Sequence, residues 1–261
     1  MNSVIASRIK KAVPSALIIL LLFVFSALAF LPVFRAAPVP SVASESLDND
    51  AMRAINNAAA YVESNDFITE LHGVIKARVF GIPYSQKVSG GRSVRGDEYT
   101  DVAESMSAFV KAAIKKEARG GAYFVTHGDR DGKSFSYGEP TELSRSDFVA
   151  AYGLPVTGLC KYRLDGAIVG AECAGENIYK YTLDVDRATE YCRNEIKTAL
   201  GGKSYPEYES IELTLYTDGE RPVRLDITEK FRVDKFGGTR CSAEYSETFV
   251  YADTPMPYQG E

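Results

Sequence analysis

A run of alternating residues between 211 and 251 places the strongest constraint on the fold. In 211–216, isoleucine and leucine alternate with polar or aromatic residues, and this period of two predicts a half-buried strand. The alternation resumes in 223–234, after an Asp218-Gly219 pair that favours a hairpin turn. A third alternating stretch, 241–251, follows a glycine pair. These patterns predict a three-stranded antiparallel meander with one apolar face, which other elements must cover.

The chain before the meander mixes helical and strand patterns. Apolar residues at helical spacing predict an amphipathic helix over 48–64, capped by Asp48 or Asp50. The segments 68–80 and 84–94 read as strands, and Gly90-Gly91 within the second indicates a bend or bulge rather than a phosphate loop. Residues 105–119 are ambiguous between helix and strand. We favour a strand over 109–117, because the segment after it resembles the return strand of a hairpin.

The middle of the chain is expected to hold short elements. The segment 159–173 resembles a hairpin around Asp165-Gly166, and 178–185 continues as a strand. Asp186 is a plausible N-cap for a helix that ends near 200, before a glycine pair. Ser144 is placed to cap another short helix, which ends at Tyr152. The predicted class is therefore α+β, a curved antiparallel sheet or incomplete barrel covered by about two helices.

An apolar run near the N-terminus indicates export. It is long enough to cross a bilayer, and basic residues before it favour a cytoplasmic start with the bulk of the chain outside. A retained signal anchor is favoured, and a signal that is cleaved after a small-x-small site ending at Ala29 is the alternative. The predicted divisions are a cytoplasmic tail (1–13), a transmembrane segment (14–35), a linker (36–47), an extracytoplasmic sheet domain (48–253) and a tail (254–261).

Charge limits the partners of the exported part. The first 39 residues contain four basic residues and no acids, so the net charge of −5 leaves about −9 for the rest. An acidic domain of this kind is a poor candidate for binding nucleic acid or an anionic lipid surface. The membrane is expected as a partner only through the N-terminal helix.

All four cysteines, Cys160, Cys173, Cys192 and Cys241, lie in the predicted exported part. In the predicted hairpin Cys160 and Cys173 would fall opposite each other, which leaves Cys192 and Cys241 to meet between helix and sheet. Sequence alone allows three pairings, and buried free thiols are the alternative. A metal site is disfavoured, because no CxxC pair is present.

No catalytic constellation stands out. His72 and His127 are the only histidines, and neither has a partner at a motif spacing. The acidic residues mostly alternate with apolar ones on predicted strands, as a solvated sheet face does. We therefore expect no catalytic residue, no metal and no cofactor, although carboxylates brought together from different strands would escape this reasoning.

The order of elements resembles the half-barrel fold of LolA/LppX-like lipoprotein carriers. The strand and turn patterns that carry the resemblance are 105–111 (SMSAFVK), 120–125 (GGAYFV), 210–219 (SIELTLYTDG), 223–229 (VRLDITE) and 244–250 (EYSETFV). Two features depart from that group: the chain lacks the lipidated cysteine of its lipoprotein members, and it carries four other cysteines.

The resemblance implies a non-catalytic, membrane-tethered extracytoplasmic domain that binds a lipid or another hydrophobic ligand. The first alternative is an interaction or sensor domain of the cell envelope with a filled core, which would bind an envelope protein and no small molecule. A hydrolase, with acids or His72 converging in one cleft, is the third hypothesis.

Overall fold

The computed structural model describes residues 47–79, 82–107, 111–131, 134–190, 192, 206–233 and 239–252. The predicted cytoplasmic tail, the membrane segment, nearly all of the linker and the C-terminal tail lie outside these ranges. Among the residues that the structure describes, no helix has both the length and the apolar character needed to cross a membrane. The division of the chain and its location stay predictions.

The described residues form one antiparallel sheet of twelve strands. The strands are β1 (Phe67–Val79), β2 (Ile82–Arg95), β3 (Glu98–Met106), β4 (Lys111–Arg119), β5 (Ala122–Asp131), β6 (Ser134–Tyr137), β7 (Thr141–Leu143), β8 (Ile168–Gly175), β9 (Ile178–Leu183), β10 (Glu207–Asp218), β11 (Arg221–Val233) and β12 (Thr239–Tyr251). Their spatial order is β6-β5-β4-β3-β2-β1-β12-β11-β10-β9-β8, and β7 pairs with β5. Within these strands the end members β6 and β8 do not pair with each other, so the sheet is open, as the predicted incomplete barrel requires.

The predicted meander is confirmed as β10, β11 and β12. Leu213 pairs with Ile227, which in turn pairs with Tyr245, so these three side chains share one face. Gly219, at the turn between β10 and β11, has a φ of 64°, a conformation that glycine adopts without steric cost. We call the side that carries Leu213, Ile227 and Tyr245 the inner face, and the opposite side the outer face.

Pairing between the first and last strands joins the two halves of the sheet. Strand β1 lies between β12 and β2 over nearly its whole length. The strand predicted at 109–117 is confirmed from Lys111, because β4 pairs with both β3 and β5. Pairing on both edges outweighs the helical propensity of this lysine-rich segment. Residues 108–110 lie outside the described ranges.

Three helices are described: α1 (Asn49–Ser64), α2 (Arg145–Tyr152) and α3 (Val185–Ala188). Asp48 caps α1, because its carboxylate accepts hydrogen bonds from the backbone N–H groups of Asp50 and Ala51 at 2.8 and 3.0 Å. The apolar stripe of α1 is fully buried in one cluster with the inner-face side chains of β9, β10 and β11. The Tyr181 hydroxyl donates to the Ala51 carbonyl at 2.7 Å and fixes the start of α1 on the sheet.

Two predictions for the middle of the chain are wrong. The hairpin predicted around Asp165-Gly166 is absent from the described structure there, where residues 153–167 form an irregular crossing segment between α2 and β8. The hairpin instead joins β8 to β9 through Asn177, which has a φ of 58°. The helix predicted from Asp186 begins earlier, because Asp184 caps α3. Residues 191 and 193–205 lie outside the described ranges.

Candidate functional site

The crossing segment, residues 153–167, lies against the inner face. Its Leu159, Tyr162 and Ala167 are buried in the same cluster as the apolar stripe of α1. An irregular segment over a sheet must satisfy its own backbone groups, because it lacks the ladder hydrogen bonds of a strand. Charged side chains at two places on the sheet hold the segment: Arg92 binds its backbone carbonyls, and Glu229 binds two of its side chains.

The first anchor is Arg92 of β2, whose side chain is only 7% exposed. Its Nε donates to Glu247 at 2.8 Å. Its Nη1 donates to the carbonyls of Val156 and Gly158 at 2.7 and 2.9 Å, and its Nη2 to that of Leu159 at 3.2 Å. One guanidinium group thereby holds three backbone carbonyls within residues 156–159, a role suited to its planar fork of donors.

The charges of the first anchor are well satisfied. Thr69 donates its hydroxyl to Glu247 at 2.7 Å and accepts the backbone N–H of Arg92 at 2.9 Å. The Arg92 guanidinium also lies 5.5 Å from the centre of the Phe67 ring. Burial opposes the charge of Arg92, but the Glu247 carboxylate outweighs that effect and raises the pKa of Arg92. The first anchor therefore has a structural role: it holds the crossing segment against the sheet.

The second anchor is Glu229 of β11, only 2% exposed. Tyr162 donates its hydroxyl to Glu229, and the Lys161 ammonium lies 3.1 Å from the same carboxylate oxygen. Burial and the Glu229 charge both raise the pKa of Tyr162. Burial opposes the charge of Lys161, but Glu229 outweighs it, so the pKa of Lys161 is raised and the ion pair persists at neutral pH.

An apolar surface begins beside the second anchor. It consists of the buried residues Phe231, Val233 and Ala243, and of the partly buried Ile75, Tyr208, Cys241 and Tyr245 packed against them. We call this set the inner wall. Its buried members form a cluster separate from the core under α1, and Tyr208 and Tyr245 pack against both clusters. The Lys161 ammonium lies 5.4 Å from the Tyr245 ring, so the charged anchor and the inner wall are in contact.

The polar side-chain groups of the inner wall, apart from the Cys241 thiol, are its two tyrosine hydroxyls. Burial raises the pKa of Tyr245 to about 12 and also raises that of Tyr208, so both stay neutral donors. The surface therefore offers hydrocarbon contacts along the strands and neutral hydroxyls beside the Lys161–Glu229 pair. Such an arrangement is suited to holding an amphiphilic molecule rather than to transferring a proton at neutral pH.

The two histidines do not meet. His72 is exposed on the outer face of β1 and His127 is exposed on β5, and no side-chain partner of either is described. Among the described residues, no group of three or more histidines, cysteines and carboxylates is placed to hold a metal ion.

The predicted disulfides are absent from the structure. All four cysteines lie in the described ranges, and no bond joins any two of them. Cys160 belongs to the crossing segment rather than to a strand, whereas Cys173 pairs with Tyr179 in the β8–β9 hairpin. The predicted Cys160–Cys173 pairing fails because it depended on the hairpin around Asp165-Gly166. Cys192 is buried and donates to the Thr189 carbonyl at 3.6 Å.

We expect iodoacetamide at about pH 8 to modify Cys173 first and Cys160 at least about tenfold more slowly. Cys173 is exposed, whereas burial raises the pKa of Cys160 to about 11, which leaves little thiolate. The pKa of Cys173 is also raised, by local desolvation and by Asp48, so access and not acidity gives it precedence. Mass mapping over time checks the order, and labelling of Cys160 should increase towards pH 11. Equal rates would contradict the burial of Cys160.

Sequence reasoning missed the charged residues of both anchors. A signal for one of them was present, because Glu229 falls in phase with Leu225, Ile227 and Phe231 on the apolar face of β11. A carboxylate in phase with a buried face needs a partner. Arg92 had no comparable signal, since its burial depends on a crossing segment that is distant in sequence.

No protein-family model and no curated protein matches the chain. Two solved structures show a weak similarity to the chain. One is a DUF1329 family protein from Desulfovibrio piger, 10% identical, with a TM-score of 0.30, covering 80% of this chain and 95% of its own. The other is the LolA superfamily protein NE2245 from Nitrosomonas europaea, 13% identical, with a TM-score of 0.25, covering 78% of this chain and 94% of its own. The second belongs to the group that the sequence patterns resemble, and at these TM-scores neither likeness supports a conclusion about this chain.

Proposed function

We propose that this chain is a non-catalytic binding module that holds a lipid or another hydrophobic ligand against the inner wall. The inner wall itself carries the proposal: four partly buried side chains, Ile75, Tyr208, Cys241 and Tyr245, surround a buried apolar floor. They belong to three different strands of one face, β1, β10 and β12. When a ligand removes a partly exposed apolar surface of this kind from water, the free energy of the complex is lowered.

The chemistry of the inner wall favours a ligand with an apolar chain. Each methylene group that leaves water contributes about 0.8 kcal/mol, and only part of this appears as affinity because binding also restricts motion. The tyrosine hydroxyls and the Lys161–Glu229 pair lie at one end of the wall. A polar head could remain hydrated or hydrogen-bonded there while the chain contacts Phe231 and Val233.

The setting of this module is part of the same proposal. The basic residues and the apolar run before residue 36 support a signal anchor with the sheet domain outside the membrane. A tethered binder would meet its ligand at the membrane surface, where lipids are abundant. Release after signal cleavage would instead give a secreted binder.

A protein-interaction domain is the second candidate. The observation in its favour is a shallow groove of about 560 Å³ beside α2, lined by Val149, Ala150 and Leu154 with Arg145 and Ser146. Leu154 is 50% exposed there. Exposed apolar side chains beside an arginine are typical of protein contacts. If the inner wall binds nothing, this groove becomes the better candidate.

Replacing Ile75 with glutamate should weaken uptake of a fluorescent fatty-acid analogue at least about tenfold, because a charge on the wall must be desolvated when the chain binds. The matched control is Val74→Glu, which places the same charge on the outer face of the same strand. Fluorescence titration of delipidated protein measures both. Equal binding by the two variants would contradict the inner-wall site, and no uptake by the unmodified protein would contradict the function.

A second variant distinguishes loss of the binding site from loss of the fold. Ile75→Trp adds bulk without charge and should also reduce uptake, by filling space that the chain would occupy. Circular dichroism should show the same sheet content in all variants.

A further inference from the structure

A second pocket lies on the opposite, outer face of the sheet and is independent of the inner wall. It has a volume of about 550 Å³. His72 of β1, Lys87 and Ser89 of β2, Glu104 and Met106 of β3, and Phe135 of β6 line it. We call it the outer pocket. Its volume falls in the range of small-molecule sites.

The outer pocket exists because the β5–β6 hairpin folds back over the sheet. Strand β6 is five positions from β1 in the strand order, yet both line the same space. Tyr137 of β6 donates its hydroxyl to Glu104 of β3 at 3.1 Å. Gly128 makes the approach feasible, since a Cβ there would lie 2.9 Å from the Ala113 Cβ and 3.2 Å from the Tyr137 ring. A contact between Arg130 and the Met106 sulfur fastens the same hairpin.

The outer pocket contains a lysine and a glutamate, Lys87 and Glu104, for which no ion pair with each other is described. Ser89 lies opposite Glu104 in the β2–β3 ladder, and Lys87 lies opposite Met106. Lys87 and Glu104 are thus diagonal neighbours, about 7–8 Å apart at their Cα atoms. In the part of the chain that the structure describes, the Lys87 ammonium has no carboxylate within ion-pair distance. His72 is adjacent to Ser89 on the other side.

We propose that the outer pocket binds a short apolar peptide with both ends free. Its ammonium end would bind Glu104, and its carboxylate end would bind Lys87, with Ser89 and His72 as further donors. An extended dipeptide spans about 7 Å, which is close to the spacing between the two Cα atoms from which the charged side chains extend. Its apolar side chains would lie between Met106 and Phe135. Glu104 is held in place for this contact by the Tyr137 hydroxyl.

The test is an NMR titration of the full, unaltered chain solubilised in detergent. It compares the dipeptide Leu-Phe with its N-acetylated and C-amidated form. The free dipeptide should shift the amide signals of Gly73 and Ser89 in a saturable way. The blocked form should bind at least about tenfold more weakly, because it lacks both charges. Saturation by neither peptide, or equal binding by both, would overturn the proposal.

Matched variants locate the site. Glu104→Gln keeps an oxygen for the Tyr137 hydroxyl but removes the charge, and it should weaken dipeptide binding about tenfold or more. Lys87→Gln should do the same. The controls Glu70→Gln and Lys76→Gln remove the same two kinds of charge from exposed outer-face positions of β1, and they should leave binding unchanged. Loss of dipeptide binding in Ile75→Glu would place the ligand on the inner wall and overturn the assignment.

Discussion

Replacing Arg92 with leucine should lower the free energy of unfolding by about 3–5 kcal/mol, the largest loss that we expect from a single charged residue. Arg92 and Glu247 are each 7% exposed, so the substitution leaves a buried carboxylate without its cation. It also removes the donors to three carbonyls of the crossing segment. Urea unfolding followed by circular dichroism measures the change.

Two further variants separate the causes. Arg95→Leu, at an exposed position of the same strand, should change the free energy of unfolding by no more than about 0.5 kcal/mol. The double variant Arg92→Leu/Glu247→Leu should be more stable than Arg92→Leu alone, because no unpaired charge stays buried. If Arg92→Leu were no more damaging than Arg95→Leu, the crossing segment would not depend on the first anchor.

Replacing Gly90 with alanine should lower the free energy of unfolding by about 3 kcal/mol. Gly90 has a φ of 155°, and a Cβ there would lie 1.9 Å from the Val102 carbonyl oxygen. That oxygen is backbone in the neighbouring strand β3, so the clash cannot be relieved by a side-chain rotation. The β2–β3 ladder would have to separate, and urea unfolding should show a lower midpoint.

Gly138→Ala is the matched control for Gly90→Ala. The nearest atom to a Cβ at Gly138 is the His127 carbonyl oxygen at 3.7 Å, an ordinary contact. The free energy of unfolding of Gly138→Ala should stay within about 0.5 kcal/mol of that of the unmodified protein. A Gly90→Ala protein as stable as Gly138→Ala would contradict the close approach of β2 and β3.

Much of the local structure could be predicted, because it depends on neighbouring residues. The meander follows from a period of two interrupted by a turn pair, and α1 follows from a helical stripe after Asp48. Gly90-Gly91 lies inside β2 and not in a phosphate loop, as predicted, but the β1–β2 register is the same at 71↔90 and 68↔93, so no bulge is inserted there. In each of these cases the pattern and its structural cause lie within about 20 residues of each other.

The error in the middle of the chain has a different cause. Asp165-Gly166 does form a turn, and Gly166 has a φ of 66°. The residues before it do not pair as a strand, because Tyr162 and Lys161 bind Glu229, which lies on β11. Contacts between residues so distant in sequence leave no periodic trace, so the turn was recognised and its partner strand was not.

The sequence by itself determined the strands of the meander, the first helix and its cap, because hydrophobic periodicity and turn residues act over short distances. Only the tertiary structure decided that β1 pairs with β12, that the crossing segment is fastened by Arg92 and Glu229, and that β6 folds over the outer face. The same limit applies to the inner wall and to the outer pocket. Each is built from single side chains on several strands, and their convergence depends on how the sheet curves rather than on any local pattern.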